Sequence, residues 1–201
     1  FKVIVLSNQS LSIIDSHRQL LSAEQERDFT AEVRAVRALF YYYAMDMFGQ
    51  IPLVTSYDVK LDQVVPSKRS EVFRFIFDEL QAVAPLLADA HSNKEGDYYG
   101  RVTRPVVNFL LAKLALNAEV YDDDDWTDGI RPDGKDIFFT VNGERKNAWE
   151  TCIWYCEQLK DEGYELESDY ASNFAVHNES SQENIFTIPL DKNLYQNEYH
   201  Y

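Results

Sequence analysis

The chain has 201 residues, with 34 acidic and 19 basic side chains that give a formal net charge of −15. This negative charge argues against binding to nucleic acid, which needs a basic face, and against attachment to anionic lipid through a polybasic patch. Hydrophobic residues make up 45% of the chain, as in ordinary globular proteins. No segment approaches the roughly 18 apolar residues of a membrane span. The composition predicts a globular protein and is compatible with a neutral ligand.

The first part of the chain predicts two helices and an extended segment. Residues 1–21 predict a helix or the remainder of one, and residues 23–48 predict a long helix whose apolar residues recur every three or four positions. This expected stripe comprises Val33, Val36, Phe40, Ala44 and Met47. Gly49 follows at the position where a positive φ angle commonly ends a helix. Pro52 favours an extended backbone after that end.

A third helix is predicted over residues 69–90, with Ser67 or Ser70 as its N-cap. Its expected inner face comprises Val72, Ile76, Leu80, Val83 and Leu87. Pro85 lies late in this pattern and is expected to kink the helix. A polar loop is predicted over residues 91–102.

A fourth helix is predicted from Thr103, which can serve as its N-cap, to about Tyr121. Pro105 falls in its first turn, where the missing N–H costs nothing. The expected inner face comprises Val106, Phe109, Leu110, Leu114 and Ala118. An acidic and aromatic insertion then occupies residues 122–146.

This insertion includes a predicted β-hairpin, because Asn142-Gly143 is a strong signal for a two-residue turn. Residues 147–162 predict a further helix that Gly163 closes. Residues 183–191 predict a strand because they are rich in β-branched side chains. Helices therefore dominate the chain, and their lengths fit stacked helical hairpins without a repeat of fixed period.

Three consecutive tyrosines, Tyr41, Tyr42 and Tyr43, lie within the long helix. Successive helical residues point about 100° apart, so the three rings cannot face one core. We expect the helix to lie between neighbours, with at least one ring against a second helix and one at a surface or groove. Arg34 and Arg37 lie three residues apart on the same helix and are expected to pair with carboxylates.

The two cysteines, Cys152 and Cys156, lie four residues apart on one face of a predicted helix. A helical turn supplies disulfide geometry poorly, and two cysteines are too few for a structural zinc site. They are therefore interpreted as two small buried thiols.

Four blocks in order along the chain carry a resemblance to a known family. They comprise residues 31–54, 66–80, 100–121 and 164–191. The first joins Arg37-Ala38 and an aromatic run to Phe48-Gly-Gln-Ile-Pro-Leu, and the third begins with Gly-Arg-Val-Thr. Together the blocks resemble the SusD-like (SusD/RagB) family of outer-membrane glycan-binding lipoproteins.

The resemblance implies a mainly α fold of stacked helical hairpins, similar to tetratricopeptide repeats, with loop insertions and short β segments. It implies a cell-surface protein without catalytic activity that captures a glycan, such as a starch-like polysaccharide, and delivers it to a SusC-like, TonB-dependent outer-membrane transporter. Residues 1–201 are expected to be a single helical domain, part of a longer chain that a lipid anchors to the outer membrane of a Gram-negative bacterium.

Sugar binding requires an exposed aromatic ring beside side chains that can hydrogen-bond to hydroxyls. The aromatic residues in loops are therefore the candidate ligand residues, namely Trp126, Tyr98, Tyr99 and Tyr195. Trp126 is the strongest candidate because acceptors flank it. Each ring has the alternative of packing its own loop against the helices.

The run of aspartates around Trp126 raises the question of a calcium site, because Ca²⁺ prefers oxygen ligands. Asp122 and Asp124 are the candidates in this run, although its spacing does not match an EF-hand loop. The run also follows a helix C-terminus, where negative charge is unfavourable. The family resemblance adds Asp191. A solvated loop and a turn-initiating aspartate are the alternatives.

No constellation of residues indicates an enzyme. The four histidines, at positions 17, 91, 177 and 200, are scattered, and no nucleophile elbow, P-loop or His-Glu-x-x-His motif occurs. A helical-hairpin adaptor that binds protein remains the alternative, because stacked hairpins form concave grooves. The long insertion at 122–146 favours glycan capture, since a peptide-binding solenoid would keep its loops short.

Overall fold

The computed structural model describes residues 1–189 of the chain. Within this part the α-helices are α1 (Lys2–Ser16), α2 (Ala23–Phe48), α3 (Arg69–Val83), α4 (Arg104–Leu116), α5 (Ala118–Tyr121) and α6 (Ala148–Asp161). Two strands, β1 (Phe138–Val141) and β2 (Glu144–Asn147), form an antiparallel hairpin. The prediction of a mainly α fold with short β segments is confirmed. No helix in the described part is long and apolar enough to cross a membrane.

The helices pack against their neighbours in sequence order. The most extensive contacts join α1 to α2, α2 to α3 and α4 to α6. Ala31, Ala35 and Ala38 are completely buried along α2, and such small side chains allow neighbouring helices to approach closely. The helical hairpins thus share one continuous core.

The bounds predicted for α2 are confirmed. The helix begins with a capping box, in which the Ser22 hydroxyl accepts from Gln25 N at 3.1 Å and the Gln25 side chain accepts from Ser22 N at 3.0 Å. Gly49 ends the helix with a φ angle of 69°. The predicted apolar stripe is wrong in part, because Phe40 and Met47 are exposed. The core contacts α2 along its alanines instead.

The three tyrosines of α2 point in different directions, as predicted. Tyr41 is buried, and its hydroxyl donates to Val54 O at 2.7 Å and accepts from Val54 N at 2.8 Å. Tyr42 is also buried, with its ring edge-to-face with Tyr121. Tyr43 is 45% exposed. Tyr41 thereby attaches the segment after Gly49 to the helix.

A buried ion cluster links α1, α2 and α3. It comprises Asn8, Arg34, Arg37 and Glu79. Both arginines pair with the Glu79 carboxylate, with Arg34 Nε at 3.0 Å, and Arg37 Nη1 donates to Asn8 Oδ1 at 2.9 Å. Burial alone would raise the pKa of Glu79, but hydrogen bonds and charge from the two arginines outweigh it, so this pKa is lowered. The predicted pairing of Arg34 and Arg37 with carboxylates is confirmed.

The third helix is shorter than predicted. α3 ends at Val83 and continues as a 3-10 turn, because Pro85 cannot donate the backbone hydrogen bond of a further α-helical turn. Neither Ser67 nor Ser70 is its N-cap. That position belongs to Lys68, whose backbone N–H donates to the Glu71 side chain at 3.3 Å.

The fourth helix begins at Arg104 with Thr103 at the N-cap position, as predicted, but the Thr103 side chain makes no capping hydrogen bond. The helix is also interrupted. Asn117 separates α4 from α5 because its side chain donates to Lys113 O at 2.9 Å and competes with the helical hydrogen bonds. Phe109, predicted on the inner face, is 39% exposed.

The predicted hairpin is confirmed, with Asn142 and Gly143 at φ angles of 52° and 77°. Gly134 lies in the loop before it. A Cβ atom at this position would overlap the Trp149 ring, and Ala148 N donates to Gly134 O at 3.0 Å. The insertion is therefore packed tightly onto the start of α6.

Two further predictions are wrong. Residues 183–189 form no strand, since the hairpin strands pair with each other and offer this segment no ladder, and positions 190 and 191 lie outside the described residues. Cys152 is half-buried but Cys156 is exposed, because the buried face of α6 comprises Ala148, Thr151, Tyr155 and Leu159 and does not include Cys156. Burial, followed by the neighbouring Cys156, raises the pKa of Cys152 to about 11.

Candidate functional site

The acidic loop, residues 122–128, is attached to α3 by its own aspartates. Asp122 Oδ1 accepts from Arg74 Nη2 at 3.0 Å. The Asp123 carbonyl accepts from Arg69 Nε at 3.1 Å. Both arginines belong to α3, so the loop is held to this helix by specific contacts.

Asp124 fixes the loop at the first turn of α3. Its carboxylate accepts from the Ser70 backbone N–H at 3.0 Å and from the Ser70 hydroxyl at 2.7 Å. Carboxylates are stabilised at a helix N-terminus, where backbone N–H groups lack helical partners. The negative charge that follows α5 is thus placed favourably against a second helix, which the sequence alone did not indicate.

Trp126 projects from this anchored loop. Arg131 Nη2 donates to the Trp126 carbonyl at 2.8 Å, and Thr127 N donates to Asp125 Oδ1 at 3.0 Å. The backbone on both sides of the ring is therefore fixed, while the side chain itself is 70% exposed. Phe48, at the end of α2, is 67% exposed nearby.

The Trp126 groove lies between this loop and the end of α2. Its volume is about 540 Å³, and its lining comprises Asp46, Met47, Phe48, Gly49, Gln50, Arg69, Asp123, Asp124 and Trp126. Asp46 is held in place by the Tyr121 hydroxyl, which donates to it at 2.6 Å. Flat aromatic rings thus stand beside carboxylates, an amide and a guanidinium group. This arrangement suits a polyhydroxylated ring that stacks on one face and hydrogen-bonds at its edge.

The other candidate aromatics lie elsewhere. Tyr98 is 38% exposed, with the Arg101 guanidinium 5.1 Å from its ring centroid, and Arg101 pairs with Glu32. This tyrosine lines a separate groove of about 580 Å³ beside the N-terminal half of α2. Tyr99 is half-buried. The helix rise of about 1.5 Å per residue separates Phe29 in that groove from Asp46 by about 25 Å, so the predicted ligand residues do not converge.

Asp122 and Asp124, the two candidate calcium ligands in the loop, do not share a site. Asp122 is paired with Arg74, and Asp124 is bound by Ser70 with Lys68 Nζ at 3.9 Å. Across residues 1–189, no group of three or more histidine, cysteine, aspartate or glutamate side chains is arranged to hold a metal ion. Asp191 and Tyr195 lie outside the described residues, so their roles stay predictions.

Several residues that line the Trp126 groove were not predicted from the sequence. Asp46, Phe48 and Arg69 meet Trp126 only because α2, α3 and the loop fold together. Phe48 is the last residue of α2 and carried no signal for exposure, since aromatic residues at helical spacing are usually buried.

No protein-family model matches the chain. The chain is 32% identical over 108 residues to the starch-binding protein SusD of Bacteroides thetaiotaomicron, a match that covers 54% of the chain and 18% of that protein. It is 25% identical over 191 residues to a SusD-like protein of Bacteroides ovatus, which covers 94% of the chain and 31% of that protein. The chain therefore spans less than a third of either relative.

A solved structure, that of a laminarin-binding SusD-like protein, has the same fold. It superposes with a TM-score of 0.67 at 21% sequence identity, over 91% of the chain and 34% of that protein. The stacked helical hairpins and the inserted hairpin loop therefore follow the architecture of a known class of chain.

Proposed function

We propose that this chain, which is SusD-like in both sequence and fold, is part of a protein that binds a glycan and does not cleave it. The observation that carries the proposal is the exposed Trp126 ring, held by an anchored loop beside acceptors and donors in a groove of about 540 Å³. A preset aromatic surface loses little conformational freedom when a sugar stacks on it. The names of two similar proteins, one starch-binding and one laminarin-binding, support the class of ligand.

The cellular setting is part of the same proposal. A SusD-like chain would act at the bacterial cell surface, attached to the outer membrane, and would deliver its glycan to a SusC-like, TonB-dependent transporter. Residues 1–201 would form one helical domain within a longer protein, consistent with the share of the relatives that the chain spans.

A protein-binding adaptor is the second candidate, and exposed apolar side chains favour it. On the outer faces of α2 and α4–α5 these comprise Phe40, Tyr43, Met47, Phe109, Leu116 and Val120. Phe40 and Tyr43 pack edge-to-face on each other, and exposed apolar patches commonly mark an interface. Met47 also lines the Trp126 groove, so this surface and the groove meet at the end of α2.

Isothermal titration calorimetry against soluble starch, laminarin and xyloglucan oligosaccharides tests the glycan proposal. We expect saturable binding to at least one of them with no release of smaller sugars. Trp126→Ala should weaken that binding by at least about tenfold, as loss of a central aromatic contact does. Tyr170→Ala is the matched control, because Tyr170 is 71% exposed but lies outside the Trp126 groove. Equal affinities for the wild type and Trp126→Ala would refute the assigned site, and turnover of any glycan would refute the function.

A further inference from the structure

A second groove lies at the other end of α3 from the acidic loop. It is formed by the end of α3, the start of α4, the hairpin turn and the C-terminal half of α6, and its volume is about 710 Å³. The residues that give it chemical character are Asp89, Arg104, Asn108, Trp154, Gln158 and Glu162. None of them lines the Trp126 groove. We call it the Trp154 groove.

Trp154 presents part of its indole to this groove in a fixed orientation. The ring is half-buried and packs at 85° to the Tyr155 ring, with centroids 4.8 Å apart. Tyr155 is held in turn by Gln81 Nε2, which donates to its hydroxyl at 3.1 Å. The indole is therefore preset by a buried neighbour before any ligand arrives.

One carboxylate in the groove lacks part of its hydrogen bonding. Glu162 Oε1 accepts from Asn108 Nδ2 at 3.1 Å and lies 3.5 Å from Arg104 Nε. Glu162 Oε2 is buried and has no hydrogen-bond partner among the described residues. Burial, followed by the charge of Asp89, raises the pKa of Glu162. A buried acceptor without a partner is uncommon in native proteins and is open to a donor such as water or a ligand hydroxyl.

The charges of the groove limit the kind of donor. Asp89, Asp161 and Glu162 provide three carboxylates against the single guanidinium of Arg104, which also pairs with Asp89. This excess of negative charge would repel uronic acids and sulfated sugars. A neutral saccharide fits the groove, because its hydroxyls can donate to the carboxylate and amide groups and the apolar face of its ring can stack on Trp154.

We propose that the Trp154 groove is a second binding site for a neutral saccharide, separate from the Trp126 groove. The class of ligand rests on the glycan-binding function proposed above, whereas the location rests on the indole, the amides and the Glu162 oxygen. Two sites on one chain would bind a single polysaccharide that reaches both of them with higher apparent affinity than either site gives alone.

The three tryptophans of the chain provide a direct test, because each lies in a different place. Trp126 and Trp154 lie in the two grooves, and Trp149 packs against Gly134. The whole chain, labelled with 5-fluorotryptophan, would be titrated with soluble starch, laminarin and xyloglucan oligosaccharides by ¹⁹F NMR. Single Trp→Phe variants assign the three resonances, and polygalacturonate serves as the acidic polysaccharide.

We expect the Trp126 and Trp154 resonances to shift with a neutral glycan, the Trp149 resonance to stay constant, and polygalacturonate to shift none of them. A shift of Trp126 alone would overturn the second site and leave the proposed function intact. A shift of Trp154 alone would support the second site and overturn the assignment of the function to Trp126. No shift with any neutral glycan would overturn both.

Variants of the groove edge avoid the loss of packing that Trp154→Ala entails. Gln158→Ala should weaken the titration seen at Trp154 by about tenfold while leaving that of Trp126 unchanged. Glu157→Ala is the matched control, since Glu157 is exposed and does not line the groove. If Gln158→Ala leaves the titration at Trp154 unchanged, the saccharide proposal is wrong. If a Lys-rich peptide shifts Trp154 and no neutral glycan does, the groove recognises a basic protein segment and the proposal is wrong as well.

Discussion

Charged side chains are buried in one region of the molecule and held at its surface in another. In the ion cluster of Asn8, Arg34, Arg37 and Glu79, both the Arg37 and Glu79 side chains are less than a tenth exposed. In the acidic loop, Asp122 and Asp124 keep 27% and 28% of their side chains exposed. Both regions pair carboxylates with groups of the neighbouring helix, but only the loop carries an exposed ring.

Ion pairs therefore have different effects in the two regions. The buried cluster joins three helices, and losing one partner leaves an uncompensated charge in the core. The ion pairs of the acidic loop are partly exposed to solvent, so each pair contributes little to stability. Together they orient Trp126. The buried cluster should therefore control stability, and the loop should control binding.

Glu79→Ala should have the largest effect on stability of the variants considered. We expect a loss of about 3–5 kcal/mol in the free energy of unfolding, because Arg37 would stay buried without its carboxylate. Urea unfolding followed by circular dichroism measures it. Asp78→Ala is the matched control, since Asp78 is the neighbouring α3 residue and is exposed. A loss below about 1 kcal/mol would show that the cluster does not control stability.

The pH dependence of unfolding also tests the contribution of Glu79 to stability. The pKa of Glu79 is lowered in the folded state from its ordinary value of 4.5, so the unfolded chain takes up a proton first as the pH falls. The contribution of Glu79 is therefore complete above 4.5 and is lost as the pH falls through the lowered folded pKa. The stability difference between the wild type and Glu79→Gln should shrink below that value, and a difference that stays constant into strong acid would contradict the assignment.

Asp124→Ala tests the loop. It removes the acceptor for two Ser70 donors at the first turn of α3, and we expect a loss of about 1 kcal/mol in stability. The fluorescence anisotropy of Trp126, measured in a background that carries Trp149→Phe and Trp154→Phe, should fall as well, because its loop gains freedom. Asp136→Ala, in an exposed part of the same insertion, should change neither quantity. Unchanged anisotropy in Asp124→Ala would mean that the ring is oriented by other contacts.

Trp126→Ala should have the smallest effect on stability. The side chain is 70% exposed, so we expect the free energy of unfolding to stay within about 0.5 kcal/mol of the wild type. Thermal and urea unfolding measure it alongside the calorimetric titration. A large loss of stability would place Trp126 among the structural residues and remove the contrast with the buried cluster.

The helices were largely predictable because their signals are local. The bounds of α2 follow from apolar spacing and from Gly49, and the hairpin follows from Asn142-Gly143. Orientation was less predictable, since Phe40 and Phe109 fit an apolar stripe yet face outwards. Which face of a helix is covered depends on where the other helices lie, and no local pattern contains that information.

Some residues of the candidate site could be predicted from local sequence and others could not. Trp126 could be predicted as an exposed ring from the polarity of its loop. Its neighbours Asp46 and Arg69 could not, because they lie on α2 and α3, far from Trp126 in sequence. The role of Asp124 was equally hidden, because the helix end that it stabilises belongs to α3 and not to α5.

The contact between Gly134 and Trp149 has a consequence for how chains of this kind can diverge. Because a single Cβ atom at position 134 would overlap the indole, neither position can change size freely while the other is kept. Related chains that retain the insertion should therefore vary at the two positions together, with a larger residue at 134 accompanied by a smaller one at 149. In an alignment, this pair would mark which relatives pack the insertion onto α6 as this chain does.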